Sequence, residues 1–292
     1  ALNLILDRWV SSVQQQVEAG ADETSLLREQ LATLDEMVHG FDFTRMLRRY
    51  RMAYLEQDEE ELAHVIKWLR GEYRTKTEAK SELGNGTIIT DDDWYDYVKL
   101  IARFLVCSGY KGMLVLIDEL VNLYKIPNAI TRQYNYEKIL TMYNDTLQGK
   151  AQYLGMIMGG TPTSIEDRRR GVFSYEALRS RLAQGRFARE DLKDMLAPII
   201  RLQPLTYEEL LVLIEKLMQI HAGYFGWTPT LTENDLVDFL KIELGRVGAD
   251  THLTPREVIR DFIELLDILC QNPDANVAEL LQLSLIHISE PT

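Results

Sequence analysis

The chain has 292 residues, 46% of them apolar and 26% charged, the composition of a folded globular protein with room for one large domain or two ordinary ones. Acidic residues outnumber basic ones by 45 to 32 and leave a formal charge of −13, which argues against nucleic-acid binding by the whole surface, because a phosphate backbone calls for clustered Lys and Arg. Cys107 and Cys270 are too few for a disulfide framework or a four-ligand zinc site, and no apolar run nears the ~18 residues of a spanning helix, so a cytoplasmic protein away from the membrane is expected.

The first residue is Ala, and Ala1–Val10 (ALNLILDRWV) reads as helix interior without a cap or an initiating Met. The expectation is a sequence that begins inside a longer gene. At the far end, residues 283–292 (LSLIHISEPT) resemble the translation of a transposase mosaic-end sequencing adapter and are expected to be an artefact, the alternative being an ordinary terminal segment. Between these ends, residues 1–108 are helical in pattern. Leu26, Leu27, Leu31, Leu34 and Val38 recur on one helical face, as do Leu62, Val65, Ile66 and Leu69. Gly40, Gly71 and the Gly84–Gly86 pair punctuate them. Asp91, Asp92 and Asp93 precede an amphipathic run from Trp94 to Cys107; three acids suit a metal ion, but a helix N-terminus favoured by the dipole is the reading preferred.

The pattern then changes. Met113–Ile117 (MLVLI) is a continuous apolar run of strand length, entered through Gly109 and Gly112 and left through Asp118 and Glu119. Lack of alternation predicts a strand covered on both faces, as in a parallel sheet. A helix is predicted over about Thr131–Gln148, a second strand over Tyr153–Met158, an Arg-rich helical stretch after Gly159-Gly160-Thr161-Pro162, and a third strand over Ile199–Leu202. Such alternation implies parallel strands joined by right-handed crossovers. Helices over Thr206–Ala222, Thr232–Leu244 and Thr254–Gln271 follow and read as a small all-helical lid.

The strongest chemical signal is Gly112–Leu120 (GMLVLIDEL). Ligands of open parallel sheets sit beyond the carboxyl ends of the strands, where Asp118 and Glu119 fall. An Asp there holds Mg²⁺ and a neighbouring Glu deprotonates an attacking water, the Walker B arrangement of P-loop ATPases. Two solvated acids capping the next helix are the alternative. Thr161, at the end of the second strand, is brought toward the same edge, since neighbouring strands lie about 4.8 Å apart. It reads either as a polar sensor of the nucleotide or as the start of the next helix. Arg168, Arg169, Arg170, Arg179, Arg181, Arg186, Arg189 and Lys193 outnumber the acids among them (Glu166, Asp167, Glu176, Glu190 and Asp191) by eight to five. That patch offers an arginine finger for a neighbouring subunit's phosphate (Arg168, Arg179 or Arg181), a contact to a nucleic-acid backbone, or a solvated face. Arg256, in the first turn of a lid helix, is poorly placed for the dipole and reads as a second nucleotide sensor or as merely exposed. The five histidines show no HExxH spacing, and no Gly-x-Ser-x-Gly elbow occurs. A metal-dependent nuclease built on Asp118 and Glu119 is disfavoured, because no further carboxylate directly follows the other strands. No Gly-x-x-x-x-Gly-Lys-Ser/Thr occurs either, so a phosphate-cradling loop is expected upstream of Ala1.

VLIDELVNLYKIPN (115–128), QYNYEKILTMYNDTLQGKAQYLGMIMGGTP (133–162), EDRRRGVFSYEALRSRL (166–182) and HLTPREVIRDF (252–262) resemble the BREX-type ATP-binding family, a bacterial group of P-loop ATPase domains with members in phage-defence systems. The resemblance spans residues 1–282. It implies an α/β fold with a truncated AAA+-like P-loop NTPase core: a helical insertion over 1–108, the core from Walker B to the last strand over 109–204 with three strands retained, and a helical lid over 205–282. By position, Asp118 would be the Mg²⁺-site acid and Glu119 the catalytic base, with Thr161 as sensor 1 and Arg256 as sensor 2. The Walker A loop and the first two strands, the central one among them, would be missing, so the piece alone is expected to bind ATP weakly, expose strand edges and fold poorly. The implied activity is ATP hydrolysis within a defence complex, with ATP and Mg²⁺ as cofactors. Self-association or other defence proteins are the expected partners, and DNA is left open. A nucleotide-dependent switch or scaffold with little turnover is the alternative.

Overall fold

The structure, a computed structural model, describes residues 2–183, 185, 194–245 and 254–288. The chain divides into two compact units, Ala1–Ala188 and Arg189–Thr292.

The first unit begins with six helices: α1 (Leu2–Glu18), α2 (Glu23–Asp35), α3 (Gly40–Glu56), α4 (Glu59–Leu69), α5 (Lys76–Leu83) and α6 (Trp94–Cys107). Their apolar stripes meet in one core, where Leu6 and Trp9 of α1, Leu31 and Leu34 of α2, Phe43 and Leu47 of α3, Trp68 of α4 and Phe104 of α6 are all buried. Starts are capped as residue chemistry dictates: Asp22, Asp58 and Thr75 each accept from the backbone N–H three residues on. Gly84 ends α5 in the left-handed region. Leu62, Val65, Ile66 and Leu69 face the core as read from their spacing, whereas Val38 does not. The α2 helix stops at Asp35 and the chain turns through a left-handed His39 into α3, which leaves Val38 exposed.

Asp93 stands at the N-cap position of α6, yet its carboxylate accepts from Thr90 N at 2.6 Å instead of capping the helix. Asp92 is engaged elsewhere, by the Tyr134 hydroxyl at 2.6 Å.

Beyond α6 lies the α/β part: β1 (Met113–Ile117), α7 (Val121–Lys125), α8 (Ala129–Leu147), β2 (Leu154–Met158), α9 (Pro162–Glu166), a 3₁₀ turn at Val172–Ser174 and α10 (Glu176–Leu182). The strands run parallel, paired from Met113↔Leu154 to Ile117↔Met158, with α7 and α8 in the crossover. Gly112 (φ 147°) lets β1 begin against β2, since a Cβ there would come within 2.6 Å of Tyr153 O. Two expectations are corrected. Among the described residues of the first unit only one sheet face is covered: Met113, Val115, Met156 and Met158 pack with Tyr95 and Ala102 of α6 and Met142 of α8, while Leu114 (60%), Leu116 (69%) and Ile157 (59%) stand exposed on the other. Nor does Ile199–Leu202 form a third strand; Ile200 and Leu202 are exposed and the sheet has two strands among the described residues. A short apolar run carries no periodicity to separate a strand from an irregular segment.

The second unit is helical throughout its described elements: α11 (Tyr207–Phe225), α12 (Glu233–Leu244), α13 (Pro255–Gln271) and α14 (Val277–Ile288). Thr206, Thr232 and Thr254 open the first three with reciprocal capping boxes to Glu209, Asp235 and Glu257. Leu210, Ile214, Leu236, Leu240, Phe262 and Leu266 fill their core. No helix among the described residues is long and apolar enough to cross a membrane.

Candidate functional site

Because Ile117 and Met158 are the last paired residues, Asp118 and Gly159 leave the sheet side by side at the carboxyl ends of the strands. Gly159 N donates to Ile117 O at 2.8 Å and Leu120 N to Gly159 O at 2.9 Å, which ties the turn after β1 to the turn after β2. Leu120 is buried and anchors that turn from below. Asp118 and Glu119 themselves are exposed.

Glu119 takes a left-handed backbone, φ 57°, which costs a residue with a Cβ roughly 1 kcal/mol. Asp118 Oδ1 accepts the Glu119 N–H at 2.7 Å, and Glu119 O accepts the Asn122 N–H at 2.9 Å. The Asn122 side chain reaches back as well, its Nδ2 donating to Glu119 Oε2 at 3.1 Å. Left-handed residues also occur at His39, Gln57 and Tyr153; the first two serve helix ends and the third precedes β2. At Glu119 the same conformation turns a carboxylate at the strand end.

Thr161 lies at the same edge as the N-cap of α9. Its Oγ1 accepts from Ser164 N at 3.2 Å, while Ser164 Oγ accepts from Thr161 N at 3.0 Å. The capping role is therefore filled, and a hydroxyl that accepts a bond keeps its proton for a second partner. Arg256 stands exposed in the first turn of α13, in the second unit.

The arginine patch separates into committed and uncommitted members. Arg170 Nη2 donates to Tyr124 O at 3.2 Å and its guanidinium lies over the Tyr124 ring, 5.3 Å from the centroid. Arg179 pairs with Glu176 at 2.6 Å, and Arg181 bonds Asn144 Oδ1 and Ala177 O. The exposed side chains of Arg168 and Arg169 make no hydrogen bond or ion pair among the described residues. Arg186, Arg189 and Lys193 lie outside the described residues. Asp167 collects the backbone N–H groups of Arg169 and Arg170 on one oxygen, which holds its carboxyl below the usual aspartate range.

Among the described residues no group of three or more His, Cys, Asp or Glu converges as a metal cage. Mg²⁺ on a nucleotide needs none, because one or two carboxylates with phosphate oxygens and waters complete its shell. Asp118 suits that role. It offers a hard oxygen at the strand end, and the space beside it exists because residue 159 is Gly: a Cβ there would lie 2.8 Å from Asp118 Oδ1. Spacing along the chain pointed to Asp118, Glu119 and Thr161, and the fold gathers them at one sheet edge. Asn122 and Gly159 join them unforeseen; an amide three residues after Glu119 and a Gly directly after β2 were the available signals.

The family model for BREX system ATP-binding protein BrxC/D matches residues 1–284. That is nearly the whole chain, and the chain belongs to this family. No curated protein and no solved structure matches it.

Proposed function

We propose that this member of the BREX system ATP-binding family serves as the hydrolytic component of a bacterial phage-defence complex, with Asp118 at the metal site and Glu119 as general base. The observation that carries the reading is the pair itself: two exposed carboxylates at the carboxyl end of a parallel strand, the second held in a strained left-handed conformation. Mg²⁺, held by Asp118, would supply charge neutralisation at the phosphates. Glu119 would orient a water and take its proton, and Thr161 would donate its hydroxyl proton toward a phosphate oxygen. Arg256 would act as the second sensor. Of the three finger candidates we favour Arg168, because Arg179 and Arg181 hold groups of their own unit. A cytoplasmic location fits two cysteines that stay unbridged. Other proteins of the defence system and further copies of the chain are the proposed partners. The proposal requires a phosphate-cradling loop from outside these 292 residues.

Glu119→Gln, made in the protein that joins this chain to such a loop, tests the reading. Hydrolysis is expected to fall about 100-fold or more while ATP stays bound, the loss of a positioned base. Unchanged turnover would remove Glu119 from the chemistry. Absent turnover in the parent protein, with retained binding, would favour a nucleotide-dependent switch or scaffold.

A further inference from the structure

Glu119 is fixed by more contacts than a solvated acid needs. Its N–H is taken by Asp118 Oδ1 and its carbonyl by Asn122 N, and the next residue is tied to β2 through Leu120 N and Gly159 O. These backbone bonds set where the side chain starts and leave its torsions open. One contact acts on the carboxylate itself, Asn122 Nδ2 on Oε2 at 3.1 Å. Oε1 accepts no hydrogen bond among the described residues, so the two oxygens are distinguished: one is held and the other is left open to a further partner. A general base needs that distinction, because a freely rotating carboxylate spends much of its time misdirected and loses orientation as a source of rate. Asn122 can supply it without competing for the proton. An amide N–H donates only, carries no charge and does not titrate.

We propose that Asn122 is a positioning residue for the Glu119 carboxylate, its amide holding Oε2 so that Oε1 is presented to the water to be activated. This rests on the reading of Glu119 as the base. Asn122 is exposed on the second residue of the short α7 helix, so its replacement changes little in the fold and its effect is legible in kinetics.

The test compares steady-state ATP hydrolysis by the parent protein joined to a phosphate-cradling loop with Glu119→Gln, Asn122→Ala, Asn122→Asp and Asn122→Gln. Asn122→Ala is expected to lower kcat about tenfold with KM for ATP unchanged, a fraction of what a positioned base contributes. Asn122→Asp keeps the size of the side chain but removes the amide donor and is expected to lower kcat at least as far, whereas Asn122→Gln keeps an amide and is expected to recover part of the loss. A merely structural asparagine would not separate an amide from a carboxylate of the same shape. If Glu119→Gln abolishes turnover while the Asn122 variants keep the parent kcat, the positioning role falls and the base assignment stands. If Glu119→Gln turns over like the parent, the base assignment falls and takes Asn122 with it.

Discussion

A Cβ added to Gly40 would lie 1.8 Å from Leu34 O, and one added to Gly159 would lie 2.8 Å from Asp118 Oδ1. The same substitution to Ala therefore has opposite consequences at the two positions. At Gly40 the obstacle is backbone at the tight joint of α2 and α3, which cannot swing aside. Ala gains about 1 kcal/mol of helix propensity there, but the overlap costs about 3 kcal/mol and wins. Gly40→Ala is expected to lower the midpoint of thermal unfolding; an unchanged midpoint would mean that the α2–α3 joint relaxes freely. At Gly159 the obstacle is the end of a flexible side chain, so the fold gives way cheaply and Asp118 is pushed from its place. Gly159→Ala is expected to keep the melting midpoint; with Asp118 at the proposed metal site, hydrolysis and its Mg²⁺ dependence are expected to suffer in a protein that joins this chain to a phosphate-cradling loop. This contrast marks how far the site was legible in the chain. Asp118, Glu119 and Thr161 were readable because strand ends place them. Gly159 and Asn122 were not, because one meets Asp118 only by its approach across the sheet and the other meets Glu119 only through the left-handed turn of that residue.

Between α4 and α5, Lys67 Nζ sits 2.7 Å from Glu78 Oε1 and 3.0 Å from Glu82 Oε2, and the Tyr73 hydroxyl donates to Glu82 at 2.7 Å. Lys67 holds the Glu78 carboxyl below its ordinary 4.5. Tyr73, and then Lys67, does the same for Glu82. The two acids in turn raise Lys67 above its ordinary 10.5. A lowered carboxylate stabilises the fold fully above 4.5, and that contribution is lost as pH falls through the lowered folded value. A raised lysine stabilises fully below 10.5 and is lost as pH rises through its raised value. The α4–α5 joint is thus firmest between those limits. Glu82→Gln is expected to reduce stability at pH 7 and to flatten the decline toward acid, read as denaturation midpoints at pH 7 and pH 4. Parallel declines in parent and variant would show that the cluster is not the acid-sensitive element. Helices such as α4 were legible from the spacing of Leu62, Val65, Ile66 and Leu69, and in the structure Asp58 caps the start. The ends were less so: nothing in the spacing of Val38 said that α2 stops at Asp35, and nothing local marked Ile199–Leu202 as other than a strand.

The composition of the sheet and its surroundings disagree at the scale of the whole molecule. Met113–Ile117 has no polar residue on either face, as suits a strand buried twice, yet Leu114, Leu116 and Ile157 meet solvent. Among the described residues β1 and β2 each keep one unpaired edge. Burying a side chain such as Leu116 is worth about 2 kcal/mol, so this face together with its edges gives the chain a drive to associate that net charge must oppose. The formal charge of −13 supplies long-range repulsion, which salt screens over about 10 Å at 0.1 M ionic strength. The chain as it stands is therefore expected to self-associate more as salt rises, in sedimentation at increasing concentration. Leu116→Glu places a charge in the middle of the open face and costs the fold little, because that position is already in water. The variant is expected to sediment as a smaller species with an unchanged melting midpoint. If it associates as the parent does, the open sheet face is not the adhesive surface. If it melts markedly lower, Leu116 is buried in solution and the face is already covered.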